Sequence, residues 1–154
     1  MTEKIYEITM GRFSDIESIV QFQLDMAMES ESTILDKDKV KQGVTAVMND
    51  TSKGIYWVAK TKGKPIGSLM ITKEWSDWNN SWYWWLQSVY VTPEHRSKGV
   101  FKRMYNKVIE LARSENISQV RLYVDKNNLT AQQVYEKLGM KECHYYMYET
   151  NTKV

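Results

Sequence analysis

Basic residues cluster around one glycine in the segment VYVTPEHRSKGVFKRMYNKV, at positions 89–108. The alternating apolar residues at its start predict a strand, and the apolar spacing after Gly99 predicts a helix. The first N–H groups of a helix have no acceptor within the helix and carry partial positive charge. Gly99 would let a ligand approach the backbone closely, and Arg96, Lys98 and Lys102 would add positive charge. The segment therefore predicts an anion site suited to a pyrophosphate, unless Gly99 only starts the helix and the basic side chains only face solvent.

Familiar phosphate-binding and catalytic motifs are absent from the sequence. No G-x-x-x-x-G-K-[ST] segment occurs and no G-x-G-x-x-G follows the first strand, so neither a P-loop nor a Rossmann site is predicted. His95 and His144 are the only histidines, and Cys143 is the only cysteine. Adjacent residues of a strand point to opposite faces, so Cys143 and His144 predict neither a metal site nor a Cys-His nucleophile. No stacking platform accompanies the basic loop, and nucleic acid is not a predicted partner.

The length and composition of the chain favour one domain covering residues 1–154. A chain of 154 residues buries roughly 70% of the surface that it exposes when unfolded. Lys and Arg total 21 against 19 Asp and Glu, so the net charge favours neither nucleic acid nor an anionic membrane. No apolar run approaches the roughly 20 residues that span a bilayer, and no membrane partner is predicted. The lone Cys143 cannot form an internal disulfide, which, with no apolar leader, predicts a cytoplasmic location.

Hydrophobic periodicity predicts the elements that must position the anion site. The predicted strands are 4–10, 54–61, 64–75, 82–91, 119–125 and 140–149, and the predicted helices with their caps are 14–30, 36–48, 100–115 and 127–139. Strand 82–91, helix 100–115 and strand 119–125 form a β-α-β unit, whose strands must run parallel through a right-handed connection. The order βααβββαβαβ predicts the α/β class, as an α+β sandwich around a mixed central sheet.

Two segments of the chain, VYVTPEHRSKGVFKRMY and RLYVDKNNLTAQQVYEKLGM, resemble the GCN5-related N-acetyltransferases (GNAT family). The loop of that family has the form R/Q-x-x-G-x-G/A, and its later signature has the form N-x-x-A-x-x-x-Y-E-K-x-G-F/M. The matching residues are Arg96, Gly99, Asn128, Ala131, Tyr135, Glu136, Lys137 and Gly139. Phe101 departs from the pattern, because it occupies the position of the second small residue of the loop. The resemblance is close over 89–140 and implies the GNAT acyl-CoA N-acyltransferase fold.

The resemblance implies acetyl-CoA, or a related acyl-CoA, as the acyl donor; no metal is expected. It assigns the backbone of 89–91 to the pantetheine arm, the loop 96–102 to the pyrophosphate and Asn128 to the CoA arm. The implied cofactor-binding residues are Val89, Tyr90, Val91, Arg96, Ser97, Lys98, Gly99, Val100, Phe101, Lys102 and Asn128. An extended pantetheine amide can pair with a strand edge like an added strand, so the assignment is physically reasonable.

The implied reaction is direct attack of a neutral amine on the thioester, and it sets three tasks. A backbone N–H near Val89 can stabilise the oxyanion. Tyr135 is the implied proton donor to the leaving thiolate, since a phenol stays protonated at neutral pH. The strand WYWWLQSVYV contains no acid, so a carboxylate base on this strand is not predicted. The other candidates, which are either surface acids or bases acting through water, are Glu29, Glu31, Glu74 and Asp77.

The acyl acceptor is expected near the first two helices and the loop that precedes strand 82–91. The tryptophans concentrated there are Trp75, Trp78, Trp82, Trp84 and Trp85. They could pack the core and cover the sheet, or they could form a wall that holds an apolar or cationic acceptor by cation–π attraction. The predicted substrate residues are Glu29, Glu31, Trp75 and Asp77. The acceptor could be a small-molecule amine or an amine of a protein.

Two functions of different classes fit the sequence. The first is an N-acetyltransferase that moves an acetyl group from acetyl-CoA to a primary amine. The second is a non-catalytic CoA-binding sensor or interaction module. The matches at Tyr135 and Asn128 favour the enzyme, whereas the lack of a strand carboxylate keeps the alternative open. The tyrosine-rich segment CHYYMYE could pair with a second chain, so a homodimer is a further expectation.

Overall fold

The computed structural model of the protein describes residues 5–153 and divides into two compact units, Met1–Tyr123 and Val124–Val154. The elements of the first unit are β1 (Glu7–Met10), α1 (Ile16–Glu31), α2 (Lys37–Asn49), β2 (Ile55–Thr61), β3 (Lys64–Ser76), β4 (Ser81–Val91), α3 (Val100–Ser114) and β5 (Gln119–Arg121). Short 3₁₀ turns, Phe13–Asp15 and Pro93–His95, precede α1 and follow β4. The second unit contains α4 (Leu129–Lys137).

The sheet of the first unit has five strands within the described residues, in the order β1-β2-β3-β4-β5. Its first four strands are antiparallel neighbours, and β5 runs parallel to β4. This mixed sheet confirms the predicted α/β class and the predicted β4-α3-β5 crossover. The crossover matters for function because it brings the end of β4 and the start of α3 together.

Helices pack on the two faces of the sheet. The core on the α3 face includes Leu69, Trp84 and Leu86 together with a helical stripe. That stripe, at most 4% exposed, consists of Val100, Met104, Val108 and Ala112. The core on the other face joins α1 and α2 to the sheet, and its buried members are Ile19, Val20, Val44, Tyr56 and Val58. Burying one such aliphatic side chain contributes about 1.5–3 kcal/mol, so the two cores hold helices on both faces of the sheet.

Two strand predictions differ from the structure. The strand predicted over 119–125 is shorter, because β5 ends at Arg121. The final strand predicted over 140–149 is wrong, since the described residues of this segment contain no strand. Strands are stabilised by ladder hydrogen bonds and by burying one face, whereas the side chains here are exposed from Lys141 onward. The predicted first strand begins at Glu7, and its Lys4 lies outside the described residues.

Two buried tyrosines predict a loss of stability at alkaline pH. Burial raises the pKa of Tyr56 to about 12. Burial, followed by a hydrogen bond to Glu29, raises the pKa of Tyr90 to about 12. A tyrosine of the unfolded chain ionises near pH 10. Between that pH and the native pKa, the unfolded chain binds fewer protons than the native protein, so the free energy of unfolding falls as the pH rises. We expect the free energy of unfolding in urea to decline between about pH 10 and 12.

The tyrosine prediction has a matched control within the chain. Tyr90→Phe should flatten this alkaline decline, because it removes one of the tyrosine protons that the native state retains. Tyr146 is 82% exposed, so Tyr146→Phe should leave the pH profile unchanged. Equal profiles for all three proteins would contradict the proposed origin of the decline.

Candidate functional site

The C-terminal half of β4 has one edge without a strand partner in the ladders of the described residues. On one side β4 pairs with β3 as far as Val91. On the other side its ladder with β5 covers only Tyr83, Trp84 and Trp85. From Leu86 to Val91 the strand therefore pairs with β3 alone. Such an edge presents N–H and C=O groups to which an extended amide chain can bind.

A β-bulge changes the direction of β4 within this edge. Met70 lies opposite Gln87 and Ser68 lies opposite Tyr90, so β4 has one residue more than β3 across the same interval. Ser88 lies in this interval and has a left-handed φ of 53°. A bulge bends a strand and changes which face the following side chains occupy. Tyr90 consequently lies on the face of Gln87 rather than on that of Leu86.

The bulge also decides which backbone groups reach the open edge. The Thr92 N–H donates to the Ile66 carbonyl at 2.8 Å, so it points toward β3. Because backbone groups alternate in direction along a strand, the N–H groups of Val89 and Val91 point away from β3. The open edge therefore offers the N–H and C=O of Val89 and the N–H of Val91.

The loop after β4 leads into the N-terminus of α3. Ser97 and Gly99 have left-handed φ values of 59° and 76°, so the backbone turns sharply twice. Gly99 is the N-cap, and its carbonyl accepts from the Arg103 N–H at 3.1 Å. The Lys98 Nζ donates to the Glu94 carbonyl at 2.7 Å, and the first turn of α3 carries Lys102 and no acid. These features fit an anion site.

Glycine is favoured at position 99 because of the backbone conformation there, and not because a side chain would lack space. A Cβ built at Gly99 would meet no atom within 4 Å, but its φ of 76° is unfavourable for most L-residues. We expect Gly99→Ala to lower the free energy of unfolding by about 1–2 kcal/mol. Gly99→Asn should cost less, because asparagine tolerates the left-handed region. Urea titration of the two variants checks this, and an alanine variant as stable as the parent would contradict it.

Four residues connect the loop to β4 and to α1. The Arg96 Nε donates to the Val91 carbonyl at 2.8 Å, and its terminal nitrogen donates to Glu29 Oε2 at 2.7 Å. The Tyr90 hydroxyl donates to Glu29 Oε1 at 3.1 Å, and the Arg96 guanidinium lies 5.3 Å from the Tyr90 ring centroid. Arg96, Glu29, Tyr90 and Val91 form a closed set of contacts, which we call the Arg96 cluster.

The predicted substrate residues do not lie together. Glu29 belongs to the Arg96 cluster, and Glu31 is exposed at the end of α1. Trp75 and Asp77 lie instead at the β3–β4 turn, where Trp75 faces Trp82 across the strands. Tyr90 and Trp82 are eight residues apart on β4, which separates the two groups by about 25 Å. A small acceptor could not contact both groups at once.

The tryptophans near β4 divide between core and surface. Trp84 is 4% exposed in the α3-side core, whereas Trp78 is 90% exposed. Trp75 and Trp82 pack edge to face with centroids 5.0 Å apart. The Trp85 Nε1 donates to Glu74 at 3.2 Å. Trp84 therefore belongs to the core, whereas Trp75, Trp78 and Trp82 are exposed. Whether the exposed tryptophans only cover the sheet or also hold an acceptor stays a prediction.

The second unit holds the two residues assigned from the later signature. Asn128 is the N-cap of α4, and its Oδ1 accepts from the Ala131 N–H at 3.1 Å. Tyr135 lies on α4 and is half-buried. Burial raises the pKa of Tyr135, which keeps its hydroxyl protonated at neutral pH.

Residues 5–153 contain neither a cluster of metal ligands nor a helix that could span a membrane. In that range no three His, Cys, Asp or Glu residues are grouped so that they could hold a metal ion. No helix in the same range has the length and apolarity to cross a bilayer.

Sequence reasoning missed Ser88 and the link between Glu29 and Arg96. The sequence does carry a signal for the break at Ser88. Strict alternation along LQSVYV would place the side chain of Tyr90 on the same face as that of the buried Trp84. A polar serine between the two apolar runs is where such a pattern can break. The link between Glu29 and Arg96 joins residues 67 positions apart, and no local spacing predicts it.

The mixed sheet and the loop at the start of α3 fit the GNAT class that the sequence resembles. Residues 7–140 match the sequence model of the Acetyltransferase (GNAT) family. The match covers most of the chain, which therefore belongs to the GNAT family.

Solved structures agree with this assignment. A possible acetyltransferase from Clostridium difficile 630 is 40% identical, with a TM-score of 0.91 over 98% of this chain and 100% of that one. A predicted acetyltransferase from Clostridium acetobutylicum, solved with acetyl-CoA, is 15% identical. Its TM-score is 0.76 over 95% of this chain and 96% of that one, which shows a shared fold.

Curated relatives match shorter segments. An uncharacterized N-acetyltransferase of Methanocaldococcus jannaschii is 28% identical over 88 residues, or 56% of this chain and 39% of that protein. The thialysine N-epsilon-acetyltransferase of Bos taurus is 36% identical over 58 residues, or 38% of this chain and 34% of that protein. The chain spans less than half the length of these relatives.

Proposed function

We propose that the protein transfers the acetyl group of acetyl-CoA to a primary amine by direct attack. The observation that carries the proposal is the open edge of β4, which ends in a basic loop at the N-terminus of α3. An amide-containing arm can pair with such an edge while its pyrophosphate meets helix N–H groups. Acetyl-CoA has both parts in this order, and a structural neighbour from Clostridium acetobutylicum was solved with it.

The proposed donor site uses the backbone more than side chains. The N–H and C=O of Val89 and the N–H of Val91 would pair with the pantetheine amides. The pyrophosphate would bind at the loop 96–102, where Lys98 and Lys102 add charge. Asn128 caps α4, and we retain it as a CoA-arm residue that acts by fixing the start of this helix.

The proposed chemistry needs one donor for the oxyanion and one for sulfur. The Val89 N–H follows the bulge on the open edge and is suited to the tetrahedral oxyanion; losing one such donor typically costs about 3–4 kcal/mol. Tyr135 would donate a proton to the departing CoA thiolate as the new amide bond forms. Its raised pKa keeps the hydroxyl protonated at neutral pH, so the proton is present when negative charge develops on sulfur.

The acceptor and its base are the open parts of the proposal. We assign Glu29 to the Arg96 cluster rather than to the base, because both of its oxygens accept from the protein. Glu31, Trp75 and Asp77 are retained as candidate acceptor residues, the last two for a long acceptor only. A sequence relative named for thialysine favours a small-molecule amine, and a protein amine stays the alternative.

Three wider expectations stay as proposals. The family match runs from residue 7 to residue 140, which supports a single domain over 1–154. A reducing, cytoplasmic compartment fits an exposed free thiol at Cys143. A homodimer is proposed through packing of the exposed aromatic rings of segment 143–149, which a tyrosine-to-phenylalanine change keeps; Tyr148 is 91% exposed.

An acetylation assay over a panel of amines tests the proposed function. Purified protein is incubated with acetyl-CoA and amino acids, polyamines, aminoglycosides or lysine peptides, and thiol release and product mass are measured. The enzyme hypothesis expects both signals with at least one amine class. Binding of CoA by calorimetry without product from any amine would favour the non-catalytic CoA-binding module instead.

A further inference from the structure

We propose that Glu29 is a positioning residue for the cofactor loop, acting through Arg96 and Tyr90 rather than on the acceptor. The inference rests on the proposed function for its catalytic meaning. It goes beyond the assignment of Arg96 as a phosphate-binding charge, because it gives the guanidinium an intramolecular task.

The guanidinium group of Arg96 is held by two hydrogen bonds within the protein. One edge of its guanidinium is committed to the protein, with Nε on the Val91 carbonyl at 2.8 Å and a terminal nitrogen on Glu29 at 2.7 Å. The planar fork of arginine fixes both directions at once, which a lysine ammonium cannot do. Arg96 therefore determines where the chain leaves β4, just before the left-handed Ser97.

Both carboxylate oxygens of Glu29 accept hydrogen bonds from the protein. Its two oxygens accept from different partners, Oε1 from the Tyr90 hydroxyl and Oε2 from Arg96. Tyr90 is 5% exposed and stacks on Phe22 of α1 with centroids 5.5 Å apart. The carboxylate is therefore directed at buried and loop groups of its own chain. This orientation suits a brace between α1 and β4.

The Val91 carbonyl lies on the open edge of β4 and accepts a hydrogen bond from Arg96. It points to the same open edge as the Val91 N–H, since both groups of one strand residue share a direction. Arg96 covers this carbonyl and so ends the stretch of edge that a ligand can pair with. Lys98, Lys102 and the helix N–H groups would then neutralise the negative charge of the pyrophosphate, because Arg96 is already engaged within the protein. Glu29 and Arg96 set the position of these groups.

A brace formed by Glu29 and Arg96 has different consequences from two charges that act independently. Isolated exposed ion pairs contribute little to stability, so removing Glu29 should disturb the loop more than the fold. Glu17 provides a matched control, because it is on the same helix and pairs with Lys41. Glu17→Gln removes a carboxylate and an ion pair from α1 without contact to the Arg96 cluster.

Hydrogen exchange of the free protein tests the brace without any ligand. Glu29→Gln and Arg96→Lys should each speed exchange about tenfold at the hydrogen-bonded amides that flank the loop, those of Thr92, His95 and Arg103, while β2 and β3 keep their protection. Glu17→Gln should leave the whole pattern unchanged. Unchanged exchange of the flanking amides in Glu29→Gln would overturn the inference, whether or not the protein binds CoA.

Calorimetric titration with CoA provides the second readout. Each single variant should raise the Kd for CoA about tenfold, and the double variant should be no weaker than the worse single one. Lys102→Gln should instead add to Glu29→Gln and reduce the salt dependence of binding. Additive effects of Glu29→Gln and Arg96→Lys would overturn the brace. A parent protein that fails to bind CoA would refute the proposed function, and exchange of the flanking amides would still decide the role of Glu29.

Discussion

Replacing Tyr135 with phenylalanine is expected to lower the single-turnover rate of acetyl transfer by about 10²- to 10⁴-fold, the range for loss of a general acid. The departing thiolate would then leave without a proton donor. The Kd for CoA and the free energy of unfolding should change little, because the ring is kept. Single-turnover measurement with an amine found in the panel isolates the chemical step from product release.

The tyrosine at position 146 provides the control for this variant. Tyr146 is 82% exposed, so Tyr146→Phe makes the same chemical change at the surface and should keep the parent rate. The raised pKa of Tyr135 further predicts that the parent rate does not fall from loss of this proton until above about pH 10. A Tyr135→Phe protein with the parent single-turnover rate would show that another group protonates the sulfur.

The central β-α-β unit could be predicted from sequence because its signals are local and agree with each other. The apolar stripe of α3 repeats every four residues at Val100, Met104 and Val108, and all three are buried. A parallel pair of strands joined by such a helix has one favoured hand. The loop between β4 and α3 was predicted from the same local signals, and Gly99 adopts a left-handed φ at the N-cap. Pyrophosphate binding at this loop stays a proposal.

The bulge in β4 could not be read in the same way. Alternation gives the faces of a strand only while the register is unbroken, and one extra residue reverses them. Ser88 is neither glycine nor asparagine, so the one sequence signal for its left-handed φ of 53° is a polar residue between two apolar runs. The face of Tyr90, and with it the contact to Glu29, therefore depended on tertiary structure.

In the terminal segment, residues 140–149, the residue types predicted a strand that the structure does not contain. Its aromatic residues have high strand propensity, yet residues 140–149 contain no strand among those described. Strand propensity mostly reports how a side chain packs on neighbouring strands, and an exposed segment gains nothing from it. Composition therefore predicted a strand where the chain supplies no buried face.

Gly67 on β3 is the position where a single methyl group should do the most damage to the open edge. A Cβ at Gly67 would lie 2.7 Å from the Tyr90 carbonyl oxygen and 3.3 Å from the Val91 Cα. These are backbone atoms of the paired strand, so neither can move aside as a flexible side chain would. Gly67→Ala must push the end of β4 away from β3, in the part proposed to bind pantetheine.

We expect Gly67→Ala to lower the free energy of unfolding by about 1–3 kcal/mol, the usual cost of overpacking, and to weaken CoA binding. Gly43 is the matched control, because a Cβ there meets nothing within 4 Å and the residue is exposed in α2. Gly43→Ala should raise stability by about 0.5–1 kcal/mol, since alanine favours the helix. Urea unfolding and CoA titration measure both effects. A Gly67→Ala protein with parent stability would mean that the two strands separate without cost, and that close approach of β3 does not hold the edge of β4 in place.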